Sequence, residues 1–326
     1  MSKYVVQKGT FSGKETVILR DEEAALEATI LPSCGSNLIA LENTAKGISF
    51  IKTPSSFEEL KNRPSGFGTP VLMPPGRIKG GVFTFQGREY HFEKNEVGGL
   101  NHIHGLVISR PWDVVETSAE NGAVGQLQFD STKFPELKHF QPFTLTLTFT
   151  LAEGKLKMAV RAENHADEPF PFWIGFHPYF RVPLSSSSTK ADCSISLATT
   201  ENWELEGLVP TGRRSPVEGK FDLSKGQSLE GLLLDNVYTV EQKDGTSIAR
   251  YEDRNAQAGI EYTAGSSFKF WVIYTGKDLS SDFVCLEPYT GVPNAPNLDL
   301  PIEETGVVAL ERGKPFEDWM EIRPFC

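Results

Sequence analysis

The sequence predicts an all-β fold, a large antiparallel β-sandwich or barrel. Three features carry that expectation. Residues 143–151 read Phe-Thr-Leu-Thr-Leu-Thr-Phe-Thr-Leu. Side chains alternate between the two faces of a strand, so this run puts every apolar residue on one face and every Thr on the other. Short runs of the same kind recur along the chain, closed off by Gly, Pro, Asn and Asp, the residues that turns require. No long segment carries the period of about 3.6 residues that marks an amphipathic helix, and no repeat of roughly 20–50 residues marks a solenoid or propeller.

The elements follow in order. Residues 16–19, 26–31 and 38–41 read as strands, the second closed by Pro32 and Gly35. Ser55-Ser56-Phe57-Glu58-Glu59-Leu60 puts hydroxyls ahead of two acids, which predicts a short capped helix. Pro70, Pro74, Pro75, Gly76, Gly80 and Gly81 punctuate a long loop. Residues 82–85 and 88–92 are expected to form a hairpin around Gln86-Gly87. Residues 125–130, 143–151 and 156–164 alternate as half-buried strands, the last two joined by Ala152-Glu153-Gly154-Lys155. Further strands are expected at 193–197, 236–240, 259–262 and 268–274, the last with an aromatic face. The serines at 185–188 read as a solvated loop. No linker divides the chain, so a single domain over 1–326 is expected.

Composition narrows the function. Hydrophobic residues make up 39% and charged residues 23%, an ordinary globular balance. The formal net charge is −11 and no basic stretch exceeds a pair, which argues against nucleic acid and anionic membrane surfaces as partners and favours a neutral small molecule. The N-terminal residues carry no apolar leader, and no apolar run is long enough for a membrane span. Cys34, Cys193, Cys285 and Cys326 are scattered, so they form neither a zinc pattern nor a disulfide framework; free thiols suit a cytoplasmic location. A Gly-x-Gly-x-x-Gly, a P-loop and a Gly-x-Ser-x-Gly are all absent, which leaves nucleotide cofactors and a serine nucleophile without local support.

Five stretches carry candidate chemistry. Leu100-Asn101-His102-Ile103-His104-Gly105 has two histidines two apart, and on a strand both imidazoles would share a face. Such a pair can bind metal, but barrels that use it add a nearby Glu and a later His, and here Leu106-Val107-Ile108-Ser109 follows; no metal is expected. A structural His102 held by a backbone carbonyl is the plainer alternative. Residues 169–180 are strongly aromatic around His177, which Pro178 holds extended; the rings suit the C–H face of a pyranose, or else a core strand with a buried His. Glu287 lies in the apolar run Val284-Cys285-Leu286-Glu287-Pro288, where burial raises a carboxyl pKa and makes a better base, unless an Arg pairs with it at a strand end. Arg77, in the punctuated loop, offers a fork of donors for sugar oxygens or a carboxylate. Asp235 enters the strand at 236–240 and alone reads as a turn residue.

Together these stretches resemble the aldose 1-epimerase (galactose mutarotase) family. Gly76-Arg77-Ile78 with Gly81-x-Phe83 and Gly87-x-x-Tyr90 is similar to its Asn-Arg-Ile…Gly…Phe…Gly…Tyr stretch, and Asn101-His102-Ile103-His104-Gly105 to its Asn-x-Leu-His-Gly. Asn164 to Pro171, leading into Gly175-Phe176-His177-Pro178-Tyr179-Phe180, resembles its Asn-x-(Ser/Thr)-x-x-Pro-x-Pro…Gly-x-His-Pro-Tyr-(Phe/Trp). Leu286-Glu287-Pro288 with Pro293-Asn294-Ala295 resembles its C-terminal motif. Leu106 departs from the second Gly of many members, and Leu-Glu-Pro from the Leu-Glu-Thr-Gln of many galactose mutarotases. His104-Gly105 with Arg110-Pro111-Trp112 also resembles, loosely, the hexose-6-phosphate branch.

The resemblance implies a supersandwich of mainly antiparallel strands with an open cleft for a free sugar such as galactose or glucose, and no cofactor. It assigns Glu287 as general base and His177 as general acid, with His104 near the ring oxygen. Arg77, Asp235, Asn101 and Tyr179 become substrate-binding positions. The chemistry agrees. Anomer interconversion opens a hemiacetal, which needs one base at the anomeric hydroxyl and one acid at the ring oxygen. A carboxylate and an imidazolium suffice, each expected with a pKa drawn toward neutrality. A sugar-phosphate mutarotase, a non-catalytic sugar-binding module and, with only one nominated carboxylate, a glycosidase are the rivals. Monomer and homodimer both remain open.

Overall fold

The computed structural model describes residues 2–326. The alternating runs become the strands Ala123–Asp130, Phe143–Ala152 and Lys155–Asn164, paired in antiparallel register. Their apolar side chains point inward, and the polar face is tied by rungs from Gln126 to Thr148 (3.0 Å) and Gln128 to Thr146 (3.2 Å). Glu153 (φ 52°) and Gly154 (φ 71°) close the second hairpin with two consecutive left-handed residues, the turn that matches strand twist.

These strands sit in a nine-stranded sheet, whose centre is completed by the C-terminal strand Phe316–Phe325 between Lys155–Asn164 and Ala258–Ala264. An eight-stranded sheet contains Asp235–Val240, Phe270–Tyr274, Phe283–Tyr289, Gly175–Phe176 and Tyr179–Arg181. The two sheets pack face to face. Tyr262 meets Trp271 edge-on at 5.5 Å and Phe180 at 5.9 Å, and the Trp271 indole donates to Ser247 Oγ at 3.0 Å. A five-stranded N-terminal sheet, residues 4–49, lays Val17 and Leu19 over Gly125. One apolar cluster runs through all three sheets, from Tyr4 to Ile322. The fold is therefore an all-β antiparallel sandwich.

Most expected elements lie where the patterning put them, including the helix Phe57–Asn62 capped by Ser56, whose Oγ accepts from the Glu59 backbone N–H. Two expectations need correcting. The strand at 268–274 spans only Phe270–Tyr274, and its aromatic side chains fall on both faces because the strand is central and covered on both sides. The strand through the two histidines is Asn101–Ile103 and stops there: His104 has φ 66°, so the alternation breaks before the second imidazole. His102 and His104 do not share a face. The turn continues through Gly105, also left-handed, where only glycine fits: a Cβ there would lie 2.1 Å from the Met73 carbonyl oxygen.

Among the described residues no helix is long and apolar enough to cross a membrane. All four cysteines are free; three are buried and Cys326 is exposed.

Candidate active site

Phe283–Tyr289 forms the floor of the site. Its odd-numbered residues share one face, and the even-numbered Leu286 and Pro288 pair with Ile273 and Trp271 on the sandwich side. The outward face therefore carries Cys285, Glu287 and Tyr289. Register adds Tyr274 and Tyr179, each opposite Cys285, and Asp235, opposite Tyr274. Strand pairing thus gathers Glu287 with Tyr179 and Asp235, which are distant from it in sequence.

His177 sits between two short strand pieces. Its N–H donates to the Pro70 carbonyl (3.0 Å), and Tyr179 N–H donates to Gly68 (2.8 Å). The following Pro178 keeps His177 extended. Its Nε2 lies 3.3 Å from Glu287 Oε1, and both side chains are almost wholly buried. The Tyr179 ring stacks on the imidazole at 4.7 Å and 3°. His104, turned by its left-handed backbone, meets His177 edge-on at 5.3 Å. Glu287 Oε2 accepts a 2.5 Å bond from the Tyr289 hydroxyl. Among the described residues Oε1 accepts none.

Burial dominates the electrostatics. It lifts the Glu287 carboxyl well above the usual range, the Tyr289 hydrogen bond working against it. Burial takes His177 down to about 3 and His104 well below its ordinary value. The expected drift toward neutrality therefore holds in direction for Glu287 and is reversed for His177, because an imidazolium loses its hydration here as a carboxylate does. The two groups compete for one proton at 3.3 Å: the carboxylate favours the imidazolium, and desolvation favours the neutral pair. Asp235 is raised by burial and lowered by Arg77.

Arg77 does not stand free. Its Nε bonds Glu96 Oε1 at 2.6 Å, and Asn101 Nδ2 donates to Glu96 Oε2 at 2.7 Å. Asn101 Oδ1 accepts from Gly80 N–H at 3.2 Å. Asn101 thus holds the loop that holds Arg77. Asn294, left-handed at φ 62°, accepts from Lys79 N–H at 3.0 Å and ties the C-terminal motif to the Arg77 strand. His102 points away, with Nδ1 2.6 Å from the Glu93 carbonyl, as the plainer reading had it.

The aromatic run at 169–180 is mostly core. Phe170, Phe172, Trp173, Phe176 and Phe180 are all buried in the apolar cluster, so they offer no face to a sugar. Asn164 is a turn clamp, donating to the Glu168 and Leu310 carbonyls. The sequence reading missed Tyr289, which strand periodicity from Glu287 points to, and Glu96, for which no local signal exists.

The aldose 1-epimerase family model matches residues 16–323. Mouse galactose mutarotase is 30% identical over 65% of this chain and 63% of its own length. The Escherichia coli protein YihR is 25% identical over 75% of each chain. The chain spans about half the length of the rat and pig galactose mutarotases that it matches, 45% and 56%. Among solved structures, a galactose mutarotase-like protein from Clostridium acetobutylicum superposes with a TM-score of 0.92 at 26% identity over 99% of both chains. A family match across nearly the whole sequence, on a sandwich of this kind, means that the chain belongs to the aldose 1-epimerase family.

Proposed function

We propose that this chain is a mutarotase that interconverts the α and β anomers of a free hexose, galactose or glucose first. Residues 1–326 act as one domain, in the cytoplasm, as a monomer or homodimer and without a cofactor. The contact between His177 Nε2 and Glu287 Oε1 at 3.3 Å carries this reading. It is a buried acid–base pair, and Oε1 has a free acceptor position.

In the proposed reaction Glu287 takes the proton of the anomeric hydroxyl, and His177 delivers one to the ring oxygen as the C1–O5 bond breaks. Rotation about C1–C2 presents the other face of the aldehyde. Reclosure reverses both transfers. A bound sugar supports the charged form of the pair, because its hydroxyl donates to the carboxylate while its ring oxygen accepts from the imidazolium. His104 sits beside His177, within reach of the same oxygen. Arg77 and Asp235 hold hydroxyls further out, with Asn101 acting through Glu96, and Tyr179 backs the His177 ring.

Polarimetry on freshly dissolved α-galactose and α-glucose tests this. Acceleration above the buffer rate is expected. The buffer rate on a panel of aldoses, with sugar binding seen by calorimetry, would leave only a binding module. A second reading, a sugar phosphate as substrate, has one observation behind it. Lys52 Nζ and Arg63 Cζ both lie over the Phe67 ring, at 5.9 and 5.6 Å, and Lys52 also lies over Phe283, which packs on Tyr179. Against it, Lys52 is paired with Asp282 and Arg77 with Glu96. Turnover of glucose 6-phosphate well above glucose would decide for it.

A further inference from the structure

Cys285 has no part in the proton transfers, yet its thiol shares the floor with both proton-transfer groups. The sulfur, one imidazole nitrogen of His177 and one carboxylate oxygen of Glu287 all lie within 4.8 Å of one another, and all three residues are buried. We propose that these three side chains form a binding site for a single borderline-soft divalent cation of the zinc(II) class, and that the cation occupies it in competition with the sugar.

The donor set selects the metal. One sulfur, one nitrogen and one oxygen suit zinc or cobalt, whereas magnesium and calcium demand more oxygens than the floor supplies. Ligand atoms of a tetrahedral zinc site stand roughly 3.3–3.8 Å apart at bond lengths of about 2.0–2.3 Å. The observed spacing closes to that with about 1 Å of side-chain movement, and the His177–Glu287 edge is already 3.3 Å. Charge balances as well. A thiolate and a carboxylate neutralise a dication, their two protons passing to solvent, so the loaded site carries no net charge into a buried pocket. One atom of the set, Glu287 Oε1, is a buried acceptor without a hydrogen-bond partner among the described residues, which marks a floor that is unsatisfied as it stands. The fourth coordination position is left to His104, whose ring meets that of His177 at 5.3 Å, or to water.

Occupancy and turnover are mutually exclusive, because the cation engages the groups that move protons. That consequence rests on the mutarotase reading; binding itself does not.

The test is titration of the full chain with cobalt(II) and zinc(II). A one-to-one complex is expected, with a thiolate-to-cobalt charge-transfer band that zinc abolishes. Cys285→Ser and Cys285→Ala should lose the band and bind zinc at least about tenfold more weakly, while Cys326→Ser keeps both. Zinc should also inhibit wild-type turnover competitively with galactose. The proposal is overturned if wild-type protein gives no band, if both Cys285 variants keep it, or if Cys326→Ser abolishes it. Protein that gives the band but never turns over a sugar leaves the site standing and removes the mutarotase reading instead.

Discussion

The hydroxyl of Tyr289 donates a 2.5 Å hydrogen bond to Oε2 of Glu287, two residues away on the same strand face, with both side chains buried. The bond stabilises the carboxylate against a pocket that disfavours it. It also leaves Oε1 as the oxygen that meets His177. Removing it should raise the Glu287 pKa further. A base works in its ionised form, so the acid limb of the pH–rate profile of Tyr289→Phe should move to higher pH by about one unit. An unchanged limb would mean that Tyr289 only fills space.

Gly175 makes room for that phenol. A Cβ there would lie 2.2 and 2.6 Å from Cδ1 and Cε1 of Tyr289 and 2.9 Å from Pro75 Cβ. Gly175→Ala must therefore push the ring aside. Overpacking of this kind costs about 1–3 kcal/mol, and the acid limb should move as it does in Tyr289→Phe. In the double variant the pH shift should not add, since both changes break one hydrogen bond. Additive shifts would separate the two residues.

The proposed proton-transfer pair gives the coarsest test. Glu287→Gln and His177→Asn keep the shape of the site and remove one proton carrier each. Each should lower kcat by at least about 100-fold. Full activity in either variant would take that residue out of the mechanism.

The sequence revealed strands where one face is buried and the other wet, as at 143–151, because burial then writes a period of two into the residues. It was silent on Tyr4–Phe11, Val209–Pro216 and Phe316–Phe325, whose faces are largely polar or half-exposed. That His177 and Glu287 are buried was legible because each sits in an apolar run, while the roles of acid and base came only from the resemblance of their motifs to the family's. The separation of His102 from His104 was not, because it depends on two consecutive left-handed residues, His104 and Gly105, the second packed against the Met73 carbonyl. Nor was the Arg77–Glu96 pair, a contact between a strand and a loop set by the loop's path.

That pair yields a prediction about charge. Arg77 and Glu96 are each about one-fifth exposed, at 19% and 20%, so Glu96 neutralises a guanidinium that solvent only partly reaches. Glu96→Gln keeps the hydrogen bond from Arg77 through its one amide oxygen, loses the one from Asn101 and releases the charge. Relative to glucose, the KM for glucose 6-phosphate should fall by about three- to tenfold, the scale of one partly exposed charge. An equal change for both sugars would place Arg77 away from the substrate's distal end.

Acid stability separates the two members of the central pair by sign. Burial holds His177 near 3, below its ordinary 6.5, so between those values the unfolded chain binds a proton that the folded chain does not. Its contribution is intact above pH 6.5 and is lost as the pH falls toward 3. At pH 5 the gap of about 1.5 units corresponds to roughly 2 kcal/mol. Glu287 is shifted the other way: the folded chain keeps a proton that the unfolded chain releases above 4.5. Its contribution is intact at low pH and is lost as the pH rises through its folded value. The stability of His177→Asn relative to wild type should therefore improve on going from pH 8 to pH 5, by about 2 kcal/mol in denaturant melts. That of Glu287→Gln should worsen over the same interval, because the wild type gains there what the neutral amide does not. Relative stabilities that move in the same direction for both variants would show that the pair does not sit in the folded protein as a carboxyl and a neutral imidazole.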